Sequence, residues 1–125
     1  MNLTPRHFPF RMAAALALLG APCLRAQDAD KGRRTFAACS VCHDAGTANK
    51  QGPGLAGIVG RASAKAPGFR YSGAMKRAKL VWDRKTLDAY LSDPQGLVPG
   101  NTMPFPGLPD AATRADLIAY LALLR

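Results

Sequence analysis

Cys39-Ser40-Val41-Cys42-His43 sets two thiols three positions apart, with an imidazole directly after the second. This C-x-x-C-H spacing suits covalent haem attachment, in which the thiols add to the two vinyl groups of one porphyrin as thioethers. The adjacent His43 then lies beneath the iron as proximal ligand. Two other chemistries use parts of the same pattern. A thioredoxin-like redox pair wants a strand before the first cysteine and an alternating α/β chain, and nothing before Cys39 reads as a strand. Structural zinc takes four Cys or His ligands, usually as two pairs. Outside the motif the chain has only Cys23 and His7, both in a segment expected to be removed.

That segment is residues 1–26, which read as a secretory signal peptide. Arg6 and Arg11 form a positive n-region, Met12 to Leu19 an apolar core of eight residues, and Gly20, Ala21 and Ala26 supply small residues for cleavage. The apolar run is too short to span a membrane, which takes about 20 residues. Cleavage is expected after Ala26, with Leu24 in place of the small residue usual three positions back. Cys23 as a lipoprotein acceptor is an alternative that Pro22 in front of it fits poorly, and a retained N-terminal anchor is another. Residues 27–125 remain as one domain whose two cysteines both sit in the motif. A small exported domain without a disulfide needs another staple, and a covalent haem is one.

The whole chain carries 17 basic and 8 acidic residues, net +9. Loss of Arg6, Arg11 and Arg25 with the leader lowers the basic count to 14 and the net charge to +6. Export argues against nucleic acid as the partner. Electrostatic steering towards redox proteins with acidic docking surfaces is the better reading, and a monomer is expected.

Iron held by His43 needs a sixth ligand. Once the leader is gone no second histidine exists, and the remaining methionines are Met75 and Met103. Met103 lies in Pro99-Gly100-Asn101-Thr102-Met103-Pro104, where the prolines limit the loop's freedom and so the entropy lost in holding a thioether against iron. Met75 falls in an expected helix, where an unbranched methionine serves as core filler. Met103 is therefore the favoured ligand.

The elements that must place these residues read as helices. Asp28 caps a helix from Ala29 to about Ala38, with Gly32 and Phe36 on one face. Residues 44–68 read as loop with a turn at Gly52-Pro53-Gly54. Ser72 caps a short helix to about Ala78, and Asp83 another with Leu87, Tyr90 and Leu91 at helical spacing, stopping before Pro94. Five prolines within residues 94–109 predict a stiff loop and no helix there. A last helix is expected from about Ala111 to Leu124, with Leu117, Ile118, Leu121 and Leu124 on one stripe. The fold class is all-α, without strands.

Taken in order, CSVCH, GPGLAGIVGR (52–61), APGFRYSGAM (66–75), Trp82, the Tyr90–Leu91 helix, VPGNTMPF (98–105) and DLIAYL (116–121) strongly resemble the class I c-type cytochromes. Among these they are similar to the mitochondrial cytochrome c and bacterial cytochrome c2 group, over essentially all of residues 28–125. The resemblance implies one covalent haem c on Cys39 and Cys42, with His43 and Met103 as axial ligands. It implies that the Pro53 carbonyl accepts a hydrogen bond from His43, that Tyr90 bonds the ligand sulfur, and that Tyr71, Trp82 and Arg61 surround the haem propionates. From residue type alone, Tyr90 and Trp82 read first as packed core aromatics. It further implies that Gly32 and Phe36 meet Leu117 and Tyr120 where the first and last helices cross.

The chain departs from the mitochondrial pattern. Met75 replaces an asparagine, Asn101 a propionate-bonding threonine, and Ala38, Gln95, Gly96 and Thr102 occupy positions where that group carries lysines around the haem edge. The expected function is periplasmic one-electron transfer between a reductase or dehydrogenase and a terminal oxidase or other acceptor, not enzymatic catalysis. A dedicated haem subunit of an exported dehydrogenase complex is the alternative. A third reading is a sensor or enzyme in which Met103 leaves the iron.

Overall fold

The computed structural model describes residues 25–125. The expected leader therefore lies outside the described residues except for Arg25 and Ala26, as do Cys23 and His7. Five helices occur in the described chain: α1 (Ala29–Phe36), α2 (Gly73–Ala78), α3 (Arg84–Ser92), α4 (Pro94–Leu97) and α5 (Ala111–Leu121). Short polar side chains start each of them. Asp28 accepts from the N–H groups of Asp30 and Lys31, Ser72 from Met75, Asp83 from Thr86, Asp93 from Gly96 and Asp110 from Thr113. Each bond satisfies a donor that the first helical turn leaves without a partner.

Three boundaries differ from the sequence expectation. α1 ends at Phe36, not near Ala38, because the next N–H groups bond three residues back, Ala38 to Thr35 and Cys39 to Phe36. Those tighter turns hand the chain to the cysteine motif. α5 likewise ends at Leu121, and Leu123 and Leu124 bond three residues back to Tyr120 and Leu121. The proline-rich stretch is not helix-free: α4 begins on Pro94 itself. Proline at the first helical position loses no hydrogen bond, and its fixed φ already suits the helix.

α1 crosses α5 at Gly32. A β-carbon there would collide with the backbone carbonyl of Asp116 and lie 2.9 Å from Cβ of Tyr120, so only glycine lets the two backbones approach this closely. Phe36 extends the contact, its ring centroid 5.2 Å from that of Tyr120. The stripe of α5 is buried as expected: Leu117, Ile118, Leu121 and Leu124 join Phe36, Leu87, Tyr90 and Leu91 in one core. Arg114 of α5 bonds Asp88 of α3 at 2.7 Å and the carbonyls of Leu108 and Pro109. It thereby ties both helices to the end of the proline-rich loop. Strand pairing among the described residues is limited to a single antiparallel bridge, Ala62 to Val81.

Candidate functional site

The helices enclose a cavity of about 280 Å³. Its wall is mostly apolar, with Phe36, Leu55, Ile58, Leu87, Leu91 and Leu117 among its residues. Every residue expected from the sequence to bind the cofactor lines it: Cys39, Cys42, His43, Pro53, Arg61, Tyr71, Trp82, Tyr90 and Met103. Met75 lines it too, although it is buried in the core from the turn of α2.

Cys39 and Cys42 are free thiols at the cavity wall. Burial pushes the Cys39 thiol above its ordinary value. A redox-active C-x-x-C pair needs the opposite shift, because the thiolate is the attacking species. At Cys39 the disulfide-exchange reading thus lacks its electrostatics.

The ring of His43 is fixed on two sides. Its Nδ1 lies 2.8 Å from the carbonyl oxygen of Pro53, and since a carbonyl only accepts, Nδ1 carries the proton. Nε2 is then the free lone pair, as a metal ligand requires. Gly52 packs against the ring, where a β-carbon would stand 2.5 Å from Cε1 and 2.7 Å from Nδ1. The turn that presents Pro53 is held by Arg61, whose guanidinium donates to the carbonyls of Gly54 (3.0 Å) and Ala56 (3.1 Å). Arg61 is therefore a brace for the His43 wall as well as a cation at the cavity.

The Met103 side is built differently. Asn101 is buried and serves as a node of the loop. Its Nδ2 donates to the carbonyls of Pro94 (3.0 Å) and Val98 (2.9 Å), while its Oδ1 accepts from the N–H of Met103 at 3.0 Å. Gln95 closes a second link, donating to the carbonyl of Asn101 at 2.9 Å and accepting from the N–H of Gly100 at 3.1 Å. The Tyr90 hydroxyl reaches both Met103 Sδ and Asn101 Oδ1 at 3.5 Å. Burial pushes its pKa up to about 12, so the phenol keeps its proton and remains a donor.

Trp82 packs against Tyr90 with centroids 4.9 Å apart. The Tyr71 hydroxyl accepts from the N–H of Ala66 at 3.0 Å, and its ring meets Phe69 edge-on. Both aromatics thus pack as ordinary core residues and also face the cavity. The sequence reading did not assign Asn101 and Gln95 their positioning role. The signal for Asn101 was present, since an Asn two residues ahead of an N–H that needs a partner forms an Asx turn.

An apolar cavity with two thiols, one imidazole and two thioethers on its wall fits a haem c. The thiols can hold the porphyrin, and His43 and Met103 match the His/Met axial set. The polar groups Arg61, Tyr71 and Trp82 suit its propionate edge.

The family described as cytochrome c matches residues 29–125. Cytochrome c2 of Rhodomicrobium vannielii is 42% identical over 113 residues, covering 89% of this chain and 90% of that one. Cytochrome c of Sesamum indicum is 48% identical over 85 residues, or 66% of this chain and 77% of that one. Among solved structures, cytochrome cH from Methylobacterium extorquens superposes with a TM-score of 0.73 at 42% identity, covering 75% of this chain and 96% of that one.

Proposed function

The chain belongs to the cytochrome c family, and from that premise we propose that it is an exported class I carrier that moves one electron at a time through a haem c ligated by His43 and Met103. The group supplies a single iron that cycles between Fe(III) and Fe(II). The chain's own residues do the rest. Cys39 and Cys42 hold the porphyrin covalently, so the carrier keeps its cofactor when it leaves a partner. The Pro53 carbonyl holds His43 in the tautomer that offers Nε2 and makes the imidazole a better donor. Tyr90 donates towards the Met103 sulfur and draws electron density from it, which favours Fe(II). The apolar wall excludes water, which limits the reorganisation that accompanies a change of charge.

The observation that carries this reading is the convergence on one apolar cavity of a His43 whose Nε2 is free and a Met103 clamped by Asn101. With both atoms on the iron no position is open for chemistry, and the sensor reading would need the clamp to release. Residues 1–26 act as the leader, which places the mature chain in the periplasm. In the uncleaved chain Arg25 reaches Asp116 at 3.0 Å, and cleavage after Ala26 removes that contact but leaves the bond from the Asp28 N–H to Asp116 at 2.8 Å. The partners are redox proteins, a reductase or dehydrogenase on one side and an oxidase or other acceptor on the other. Among the described residues no helix is long and apolar enough to cross a membrane.

The test is voltammetry on protein exported through a cytochrome-maturation pathway. A reversible one-electron wave, haem that survives denaturation and extraction, and reduced protein that does not bind carbon monoxide are expected. Rapid carbon monoxide binding to the reduced protein would replace the carrier reading with the sensor or enzyme.

A further inference from the structure

Asp116 stands at the crossing of α1 and α5, and its backbone carbonyl is the first atom that a β-carbon at Gly32 would meet. Its side chain is only 4% exposed, yet it carries a carboxylate. Both oxygens are served from the start of the described chain. Oδ1 takes the N–H of Asp28 at 2.8 Å, and Oδ2 takes the guanidinium of Arg25 at 3.0 Å. The two donors lie on opposite sides of the bond between Ala26 and Gln27, where the leader is expected to be cut. Cleavage therefore leaves Oδ1 served and takes the cation away from Oδ2. A buried carboxylate that loses its partner destabilises the fold strongly unless another cation replaces it.

The same cut creates a cation close by. Gln27 acquires an α-ammonium, and Gln27 is the residue next to the Asp28 N–H that already touches Oδ1. One residue of chain spans at most about 3.6 Å, so the new terminus starts within about 6.4 Å of that oxygen. Rotation about the Cα–C bond of Gln27 then swings it towards Oδ2. The Gln27 side chain is held elsewhere, its Oε1 accepting from Arg84 of α3 at 3.3 Å.

The charges around this end of α1 favour a cation. Asp28 and Asp30 belong to α1 itself, and Asp116 and the N-cap Asp110 come from α5, both close enough for Arg25 to act on their carboxyls. Against these four stand Lys31 of α1 and Arg84 of α3. Lys31 is the competing cation, and its ammonium lies 3.9 Å from Asp28 Oδ2. An unpaired ammonium ahead of α1 would also oppose the positive end of the helix dipole. Pairing with Asp116 removes that conflict.

Resting on the leader reading above, we propose that Asp116 is the receptor for the amino terminus that processing creates: the α-ammonium of Gln27 takes the place of Arg25 on Oδ2 and pins the mature chain to α5. Precursor and mature protein thus satisfy one buried carboxylate with two different cations. The crossing they hold carries Phe36 and Leu117, both in the wall of the cofactor cavity.

Reductive methylation of the mature, haem-loaded protein with isotope-labelled formaldehyde tests this, followed by NMR titration of the Fe(II) state. The dimethylated terminus keeps its charge and one N–H, and it resonates apart from the lysines. Mass spectrometry first reads where the chain starts, and a start other than Gln27 removes the leader reading and the proposal together. From Gln27, the terminus should hold its proton at least tenfold more tightly than an ordinary α-amino group, whose pKa is about 8. In Asp116→Asn it should return to that value, and in Lys31→Gln it should stay raised. The melting temperature of the reduced parent gives a second reading that needs no variant. A raised folded value contributes stability that is complete below about pH 8 and lost as pH rises through the folded value. The melting temperature should therefore fall by several degrees between about pH 7 and 9.5, whereas protein acetylated at Gln27 should start lower and stay flat. An ordinary titration in the parent, a raised value that survives Asp116→Asn, a flat melting temperature in the parent, or a terminus closed into a lactam by the Gln27 side chain would overturn the proposal and leave the leader reading standing.

Discussion

Backbone holds the imidazole of His43, whereas side-chain amides hold the thioether of Met103. On the His43 side a proline carbonyl accepts at 2.8 Å and a glycine packs flat on the ring. Both belong to one turn about ten residues from the histidine, braced by Arg61. On the Met103 side the sulfur receives a 3.5 Å contact from Tyr90, and its loop keeps its shape through Asn101 and Gln95. The difference teaches where each proposed ligand is vulnerable. The first can be displaced only by rebuilding backbone, and the second by trimming one amide.

The largest expected effect on this contrast comes from Gly52→Ala. A methyl group cannot fit against the His43 ring without moving it, and overpacking of this kind costs about 3 kcal/mol. Cofactor attachment should fall with it, seen as a lower yield of haem-loaded protein from the same maturation pathway. Normal yield and unchanged stability would mean that the ring is not pinned from that side.

Asn101→Ala should cost somewhat less, about 2 kcal/mol, because it strips partners from the carbonyls of Pro94 and Val98 and from the Met103 N–H. Covalent haem should persist, while carbon monoxide binding to the reduced protein becomes fast. Slow binding, as in the parent, would show that the loop holds its shape without the amide.

Tyr90→Phe is smaller again, about 1 kcal/mol for one weak bond to the sulfur. Losing the donor leaves the sulfur more electron-rich, so the reduction potential should drop while both ligands stay bound. A raised potential, read by the same voltammetry, would contradict the assigned direction of that bond.

Acid should act last and on the frame around the loop. The carboxyl of Asp83 is held below its ordinary value by the N–H of Thr86, that of Asp110 by the Thr113 hydroxyl and N–H, and that of Asp116 by the N–H of Asp28. With folded values below 3.8, the unfolded chain binds more protons through the window beneath the ordinary carboxylate range. Their contribution is thus present above that range and lost as pH falls towards the folded values. The melting temperature should decline on acidification below about pH 4, and Met103 should detach before His43, since its loop runs between α3 and α5. A melting temperature flat across that window would contradict the three assignments.

Much of this arrangement was legible in the residues themselves. Asp28, Ser72 and Asp83 mark helix starts because a short side-chain oxygen before a helical run has one use there. The spacing of Cys39, Cys42 and His43 pointed to haem attachment, and the Gly32 crossing was implied by the family resemblance. α4 was missed because five prolines within sixteen residues read as breakers, although Pro94 stands at the one helical position that accepts it. The Asn101 node was assigned no positioning role because its partners, from Tyr90 through Pro94 and Val98 to Met103, meet only after the loop folds back on α3. Propensity reports a residue's neighbours in sequence, whereas that amide works through neighbours in space.

The far-red Met-to-iron absorption band of the oxidised protein tests the central claim most directly, compared between Met103→Ala and Met75→Ala. Both methionines face the cavity, so either could in principle supply the band. The band should disappear in Met103→Ala, with haem still covalently attached, and persist in Met75→Ala. Loss of the band in Met75→Ala with its retention in Met103→Ala would contradict that claim.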